Sequence, residues 1–110
     1  HYVQFMNTNK NNEELLKILR IIDNYKLNNQ RKISKSIGLS LGKINFLLKE
    51  LKKKGVVKVN NFKKNKNKKK YLYYLTPQGI SLKIKLTKNF MKIKMDEYDS
   101  LKKDLEKKHN

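Results

Sequence analysis

The sequence predicts a mainly α domain with one small β-hairpin, an α+β class with a long C-terminal helix. Three observations predict it. Apolar residues recur at helical spacing in three segments before residue 55, and the period shortens to about two over 56–76. A helical pattern then resumes after "LTPQG" and runs to the end without a strong breaker. At 110 residues with 37% hydrophobic content, the chain has enough for one domain with a small core.

Residues 1–10 are expected to be a disordered or partly ordered tail. They show neither the basic n-region nor the apolar h-region of a secretory signal. The first helix is expected over 12–26, capped by Asn11 or Asn12, with Glu13 and Glu14 in its first turn at the positive dipole end. Leu15, Leu16, Leu19 and Ile22 form its stripe, widened by Ile18, and "LNN" at 27–29 breaks it. A second helix, Gln30 to Ile37, starts from Asn29, buries Ile33 and Ile37 and leaves Arg31, Lys32 and Lys35 outside. Gly38 is expected to close it in a left-handed conformation.

The third helix, 40–54, is the strongest pattern. Ser40 is its N-cap, and Leu41, Ile44, Leu48 and Leu51 share one face, flanked by Leu47. Lys53-Lys54-Gly55 ends it. The opposite face presents Gly42, Lys43, Asn45, Phe46 and Lys49. "VVKVNNF" (56–62) and "YLYYLT" (71–76) read as two strands, joined by "KKNKNKKK" as a long basic hairpin tip. In the last helix Thr76 is the expected N-cap and Pro77 suits the first position. Ile84, Met91, Tyr98 and Leu105 are spaced by seven, with Ile80 and Leu101 on the companion row. So long a helix cannot bury its whole length in so small a domain, and its distal stripe wants a partner helix.

Charge is the second line of inference. The net charge is +19, from 26 lysines and two arginines against nine acids. An AT-rich genome enriches lysine and asparagine, but it favours acidic codons too, so base composition does not explain the imbalance. The charge is also concentrated. Residues 11–29 sum to zero, while 30–75 carry fifteen basic groups and one acid, Glu50. That is the footprint of a polyanionic partner, nucleic acid before membrane. No window approaches the ~18 apolar residues of a membrane span, so no membrane partner and a cytoplasmic location are expected. There is no cysteine, and the histidines, His1 and His109, lie at the chain ends. No nucleophile–base arrangement, phosphate loop or metal-ligand spacing is present, so no enzyme activity, catalytic residue, metal or cofactor is expected.

Helix, helix, tight turn, helix, basic hairpin, long helix is the order of a winged helix-turn-helix. Its second helix lies in the major groove with N-terminal residues facing the base edges. A glycine at 42 would let DNA approach the backbone closely. The expected division is a DNA-binding domain over 11–76, with recognition helix 40–54 and wing 56–76, followed by a dimerisation helix over 77–110. Ile84, Met91, Tyr98, Leu101 and Leu105 are the expected homodimer contacts.

The run "QRKISKSIGLSLGKINFLLKELKKKGVVKVNNFKKNKNKKKYLYYLTPQGI", with "LTKNFMKIKMDEY" after it, resembles the winged-helix core of MarR-family regulators. It is similar in particular to the short exopolysaccharide-associated (EPS-associated) subgroup. The resemblance covers most of residues 13–105. It implies a dimeric bacterial transcription factor on double-stranded DNA. The family's base-reading positions fall on Gly42, Lys43, Asn45, Phe46 and Lys49. Asn45 suits a bidentate contact to adenine, and Lys43 and Lys49 suit guanine acceptors or phosphates. Gln30, Arg31, Lys32 and Ser40 would position the DNA backbone, while Lys63, Lys64, Lys66, Lys68, Lys69 and Lys70 would follow phosphates or enter the minor groove. Full-length members usually carry extra helices and an effector pocket; this chain is short, so an effector is not carried over. A sequence-tolerant DNA or RNA binder and a winged-helix protein-interaction module are the alternative functions.

Overall fold

A computed structural model describes residues 9–24, 29–65 and 68–109, with side chains for 11–24, 29–60 and 73–107. The elements follow in the order α1 (Asn9–Asn24), α2 (Gln30–Ile37), α3 (Leu41–Lys53), β1 (Val57–Asn65), β2 (Lys68–Leu75) and α4 (Pro77–His109). This is the expected mainly helical winged-helix architecture, with a two-stranded antiparallel hairpin and a long C-terminal helix.

The core centres on α1, whose Leu15, Ile18, Leu19 and Ile22 are almost fully enclosed. Ile33 of α2, Ile44, Leu47, Leu48 and Leu51 of α3, Val56, Val57 and Tyr73 at the hairpin base, and Leu82 and Leu86 of α4 complete it. Each such aliphatic side chain contributes about 1.5–3 kcal/mol relative to exposure, so this single cluster dominates the favourable side of folding.

Two sequence expectations fail in α1. The helix begins at Asn9, so Asn9 and Lys10 leave the expected tail, and residues 1–8 lie outside the described ones. Asn11 and Asn12 are therefore helical and not caps, and Glu13 and Glu14 fall beyond the first turn. Asparagine disfavours a helix interior by only a few tenths of a kcal/mol, so these residues can continue α1 and need not start it; Asn12 lines a cleft with Leu86 and Phe90 of α4. The helix ends at Asn24, and the expected break at 27–29 falls mostly on residues 25–28, outside the described ones.

The helix-turn-helix is punctuated as its sequence implies. Asn29 caps α2 by accepting from the Lys32 amide at 2.8 Å, and Ser40 caps α3 by accepting from the Lys43 amide at 3.1 Å. Gly38 closes α2 at φ +80°, where a side chain would be strained. Ile33 is buried as expected, whereas Ile37 is only partly covered. Helix α3 ends in a Schellman motif: the Gly55 amide donates to Lys52 O and the Val56 amide to Leu51 O, both at 3.0 Å. Leu41, expected in the core, is 42% exposed. As the first residue of α3 it overhangs the cleft toward α2, leaving the buried face to Ile44, Leu47, Leu48 and Leu51.

The hairpin departs from expectation at its tip. The ladder pairs Val57 with Leu75 and Val59 with Tyr73, then continues through Phe62–Lys70 and Lys63–Lys69 to Asn65–Lys68, with one irregularity between Lys63 and Asn65. Most of the lysine run is thus strand and not a loop. Ladder hydrogen bonds use the backbone, so a ribbon that has left the core can continue through polar residues.

Where the hairpin returns, Thr76 makes a compact junction. Its amide donates to Val56 O at 3.1 Å, its hydroxyl lies against the Gly55 and Val56 carbonyls, and it accepts from the Gly79 amide at 3.1 Å as the α4 N-cap. A Cβ on Gly79 would stand 2.1 Å from Val56 O, so only glycine lets α4 approach the hairpin this closely. Helix α4 is about 50 Å long. Leu82, Leu86, Phe90 and Ile93 turn toward the domain, whereas 94–107 are exposed throughout.

Candidate nucleic-acid interface

The recognition surface is built from the start of α2, the outer face of α3 and the root of the hairpin. Because Ile44, Leu47, Leu48 and Leu51 anchor α3 inward, helical geometry turns Gly42, Asn45, Phe46 and Lys49 away from the core. Phe46 is 56% exposed, unusual for so large an apolar ring. The Gly42 backbone is not in the left-handed region, and a Cβ there would meet nothing within 4 Å. The fold itself therefore has no need of glycine at this position.

Asn45 has a partner that the sequence did not reveal. The Gln30 side-chain amide donates to Asn45 Oδ1 at 3.2 Å, bracing the α2 start against the middle of α3. The second lone pair of Oδ1 and both Nδ2 hydrogens remain as contact capacity for an outside group. Gln30, Arg31, Asn45, Lys49 and Tyr73 line a cleft of about 670 Å³ between the two helices and the hairpin. Arg31, Lys32, Ser40 and Lys49 are exposed around it. Ser40 Oγ accepts from the Lys43 amide, which leaves its O–H for donation to a phosphate oxygen.

Lys43 also has a partner inside the domain. Its Nζ lies 3.5 Å from Glu14 Oε1, an ion pair linking the start of α3 to α1. Glu14 is 7% exposed, and Oε1 makes no hydrogen bond, so the ammonium is its compensating charge. Lys43 is thus directed at α1, not fully outward with Asn45 and Lys49. A sequence signal existed: Glu14, Ile18 and Ile22 are spaced by four, which places Glu14 on the inward face.

The wing lysines are placed only in part. The backbones of Lys63, Lys68, Lys69 and Lys70 belong to the ladder and Lys64 lies in β1 at its irregularity; the side chains of all five lie outside the described ones, as does the whole of Lys66. The expected dimer contacts are at the other end of the molecule. Ile84, Met91, Tyr98, Leu101 and Leu105 are between 50% and 68% exposed along α4. Among the described residues, no group of three or more His, Cys, Asp or Glu can hold a metal ion, and no helix is long and apolar enough to cross a membrane.

Residues 13–58 match the protein family described as winged helix-turn-helix DNA-binding. Among solved structures, the PcaV transcriptional regulator from Streptomyces coelicolor, in complex with its natural ligand, aligns with TM-score 0.66 at 15% identity. The match covers 83% of this chain and 68% of that one. A point mutant of S. aureus MepR bound to an oligodeoxyribonucleotide aligns with TM-score 0.61 at 19% identity, over 86% of this chain and 74% of that one. Lactococcus lactis ZitR, a zinc-responsive MarR family member, aligns with TM-score 0.60 at 18% identity, over 80% of this chain; the chain spans 58% of ZitR. No curated protein matches by sequence. The fold is a winged helix-turn-helix whose structural neighbours include a MarR family member.

Proposed function

We propose that the chain is a sequence-specific regulator that binds double-stranded DNA as a homodimer and represses transcription by occupying an inverted-repeat operator. The observation that carries this reading is the outer face of α3. It presents an unencumbered Gly42, a Gln30-braced Asn45 and an exposed Lys49 beside a basic hairpin. Bracing fixes the direction of the Asn45 amide, and a fixed donor–acceptor pair is what reading adenine in the major groove requires. That the MepR neighbour is bound to an oligodeoxyribonucleotide supports the same use of the fold. Repression needs no contact surface beyond the DNA interface, and operator symmetry follows from a two-fold dimer. The EPS-subgroup resemblance points to exopolysaccharide genes as targets, in the cytoplasm of a bacterium.

Competition between operator fragments, selected from the source genome, and random duplex at about 150 mM salt tests this reading. A specific regulator keeps a preference of ~10³ or more. With about five phosphates engaged per half-site, the dimer's log–log salt slope is roughly −9. Equal affinity for all duplexes would replace this reading with a sequence-tolerant binder.

A further inference from the structure

Helix α4 carries two apolar stripes, and only one meets its own domain. Leu82, Leu86, Phe90 and Ile93 face inward, whereas Ile84, Met91, Tyr98 and Leu105 repeat every seven residues on the exposed side, joined by Met95 and Leu101. Lys94 interrupts this stripe, but its ammonium is 3.6 Å from Glu97 and 5.2 Å from the Phe90 ring centroid, drawn to the flank. The proximal end of the stripe forms the wall of a groove of about 620 Å³ between α1 and α4. Ile80, Ile84 and Met91 lie along it, facing Leu16 and Arg20.

The charges bordering the stripe change sign along the helix. One flanking row, spaced by seven, reads Lys85, Lys92, Asp99, Glu106. The other reads Lys83, Phe90, Glu97, Asp104. When two identical helices pair antiparallel about a two-fold axis, each flanking row meets itself reversed; when they pair parallel, basic segment lies beside basic segment and acidic beside acidic. From this we infer that α4 pairs with α4 of a second copy in antiparallel orientation, with the two-fold axis between Lys94 and Met95. The C-terminal part of each helix then lies in the α1–α4 groove of the other copy.

This register brings the apolar rows together and sets the two named flanking rows against opposite charge, while it also places Lys88 beside Lys102 of the second copy, a like-charged pair. Ile84 comes level with Leu105 of the second copy, and Met91 with Tyr98. Lys85 comes beside Glu106, Lys92 beside Asp99, and Lys83 beside Asp104. The groove rim adds Arg20 on the α1 side, where Lys83 is shared between Asp23 of its own domain and the approaching acidic end. The stripe from Ile80 to Leu105 spans about 39 Å of helix, a contact length suited to a stable pair. The arrangement rests on the dimer reading above, and adds to it an orientation, a register and a seat for the chain's C-terminal end.

Because the chain lacks cysteine, Ile84→Cys and Leu105→Cys proteins each carry one thiol. A bis-maleimide is chosen no longer than the roughly 10 Å between packed helix axes. It is expected to join the two proteins when they are mixed and to join neither to itself. In a parallel pair, positions 84 and 105 stand about 31 Å apart, and each variant joins only itself. Lys85→Glu with Lys92→Glu is expected to raise the dimer dissociation constant at least ten-fold, and adding Asp99→Lys with Glu106→Lys is expected to restore it. A parallel pair gives the opposite first result, since the new carboxylates would face Lys83 and Lys88 of the second copy. Self-joining by Ile84→Cys, or a dimer that joins in neither way, overturns the antiparallel register and leaves the dimer standing. A monomer at micromolar concentration by light scattering overturns both.

Discussion

Replacing Gly42 with alanine separates what the fold needs from what a bound duplex needs. The added methyl meets no atom within 4 Å, and the backbone is outside the left-handed region, so the folded state carries no steric or conformational penalty. Alanine is favoured over glycine by about 0.8–1 kcal/mol in a helix interior. Gly42 is the second residue of α3, where the first turn is only half constrained, so about half of that is expected. For a domain of this size ~0.5 kcal/mol corresponds to a rise in Tm of about 2–4 °C. Operator affinity should move the other way. Losing one backbone-to-phosphate contact of about 1–1.5 kcal/mol in each half-site lowers the dimer's affinity roughly 30- to 150-fold, and Gly42→Leu should lower it further with little change in stability. Thermal melts and fluorescence anisotropy on one preparation read both quantities. A Tm that falls refutes the open-space reading of Gly42, and unchanged affinity in both variants refutes close approach of DNA to the start of α3.

Five further variants address other parts of the molecule. Asn45→Ala is expected to cost about 1–3 kcal/mol on operator DNA and far less on random duplex; Gln30→Ala should show a smaller effect of the same kind, and equal losses on both DNAs would show that Asn45 reads no base. Lys66→Ala with Lys68→Ala should weaken every duplex alike and make the salt slope of a dimer shallower by about four, checked by titrating salt against affinity. Gly79→Ala should destabilise by at least the ~1–3 kcal/mol of an overpacked site, because the atom it meets is backbone and cannot rotate away. Thr76→Val removes the cap hydroxyl and should cost about 1–2 kcal/mol; urea melts read both, and a Gly79 variant of unchanged stability would refute the close-approach account.

What the sequence made legible follows from which signals are local. Asn29, Gly38, Ser40, Gly55 and Thr76 act within three or four residues of themselves, and each does in the structure what its type implies. The division of α3 into an inner and an outer face was legible for the same reason, since the buried face leaves little choice for the other. Contacts between distant segments were not. Gln30 with Asn45 and Glu14 with Lys43 join residues whose nearness depends on how helices cross. In α4 the seven-residue stripe drew attention away from Leu82, Leu86 and Phe90, which repeat just as regularly and hold the helix to the core. The lysine run was read as a loop because its side chains are polar, but strand continuation was decided by the backbone ladder. Gly79 stood in plain view, and its purpose became visible only with Val56 beside it.

The junction at Thr76 and Gly79 has a mechanical meaning. Both strands of the hairpin and the start of α4 are fastened to the same few backbone atoms, so the hairpin is a lever clamped at one end to the long helix. The nine residues of β1 give it an arm of about 30 Å. A 10° error at the clamp displaces the far end by about 5 Å, more than the 3.4 Å step between base pairs. Stiffness at this corner, more than the number of lysines at the tip, therefore sets how finely the far end can be aimed.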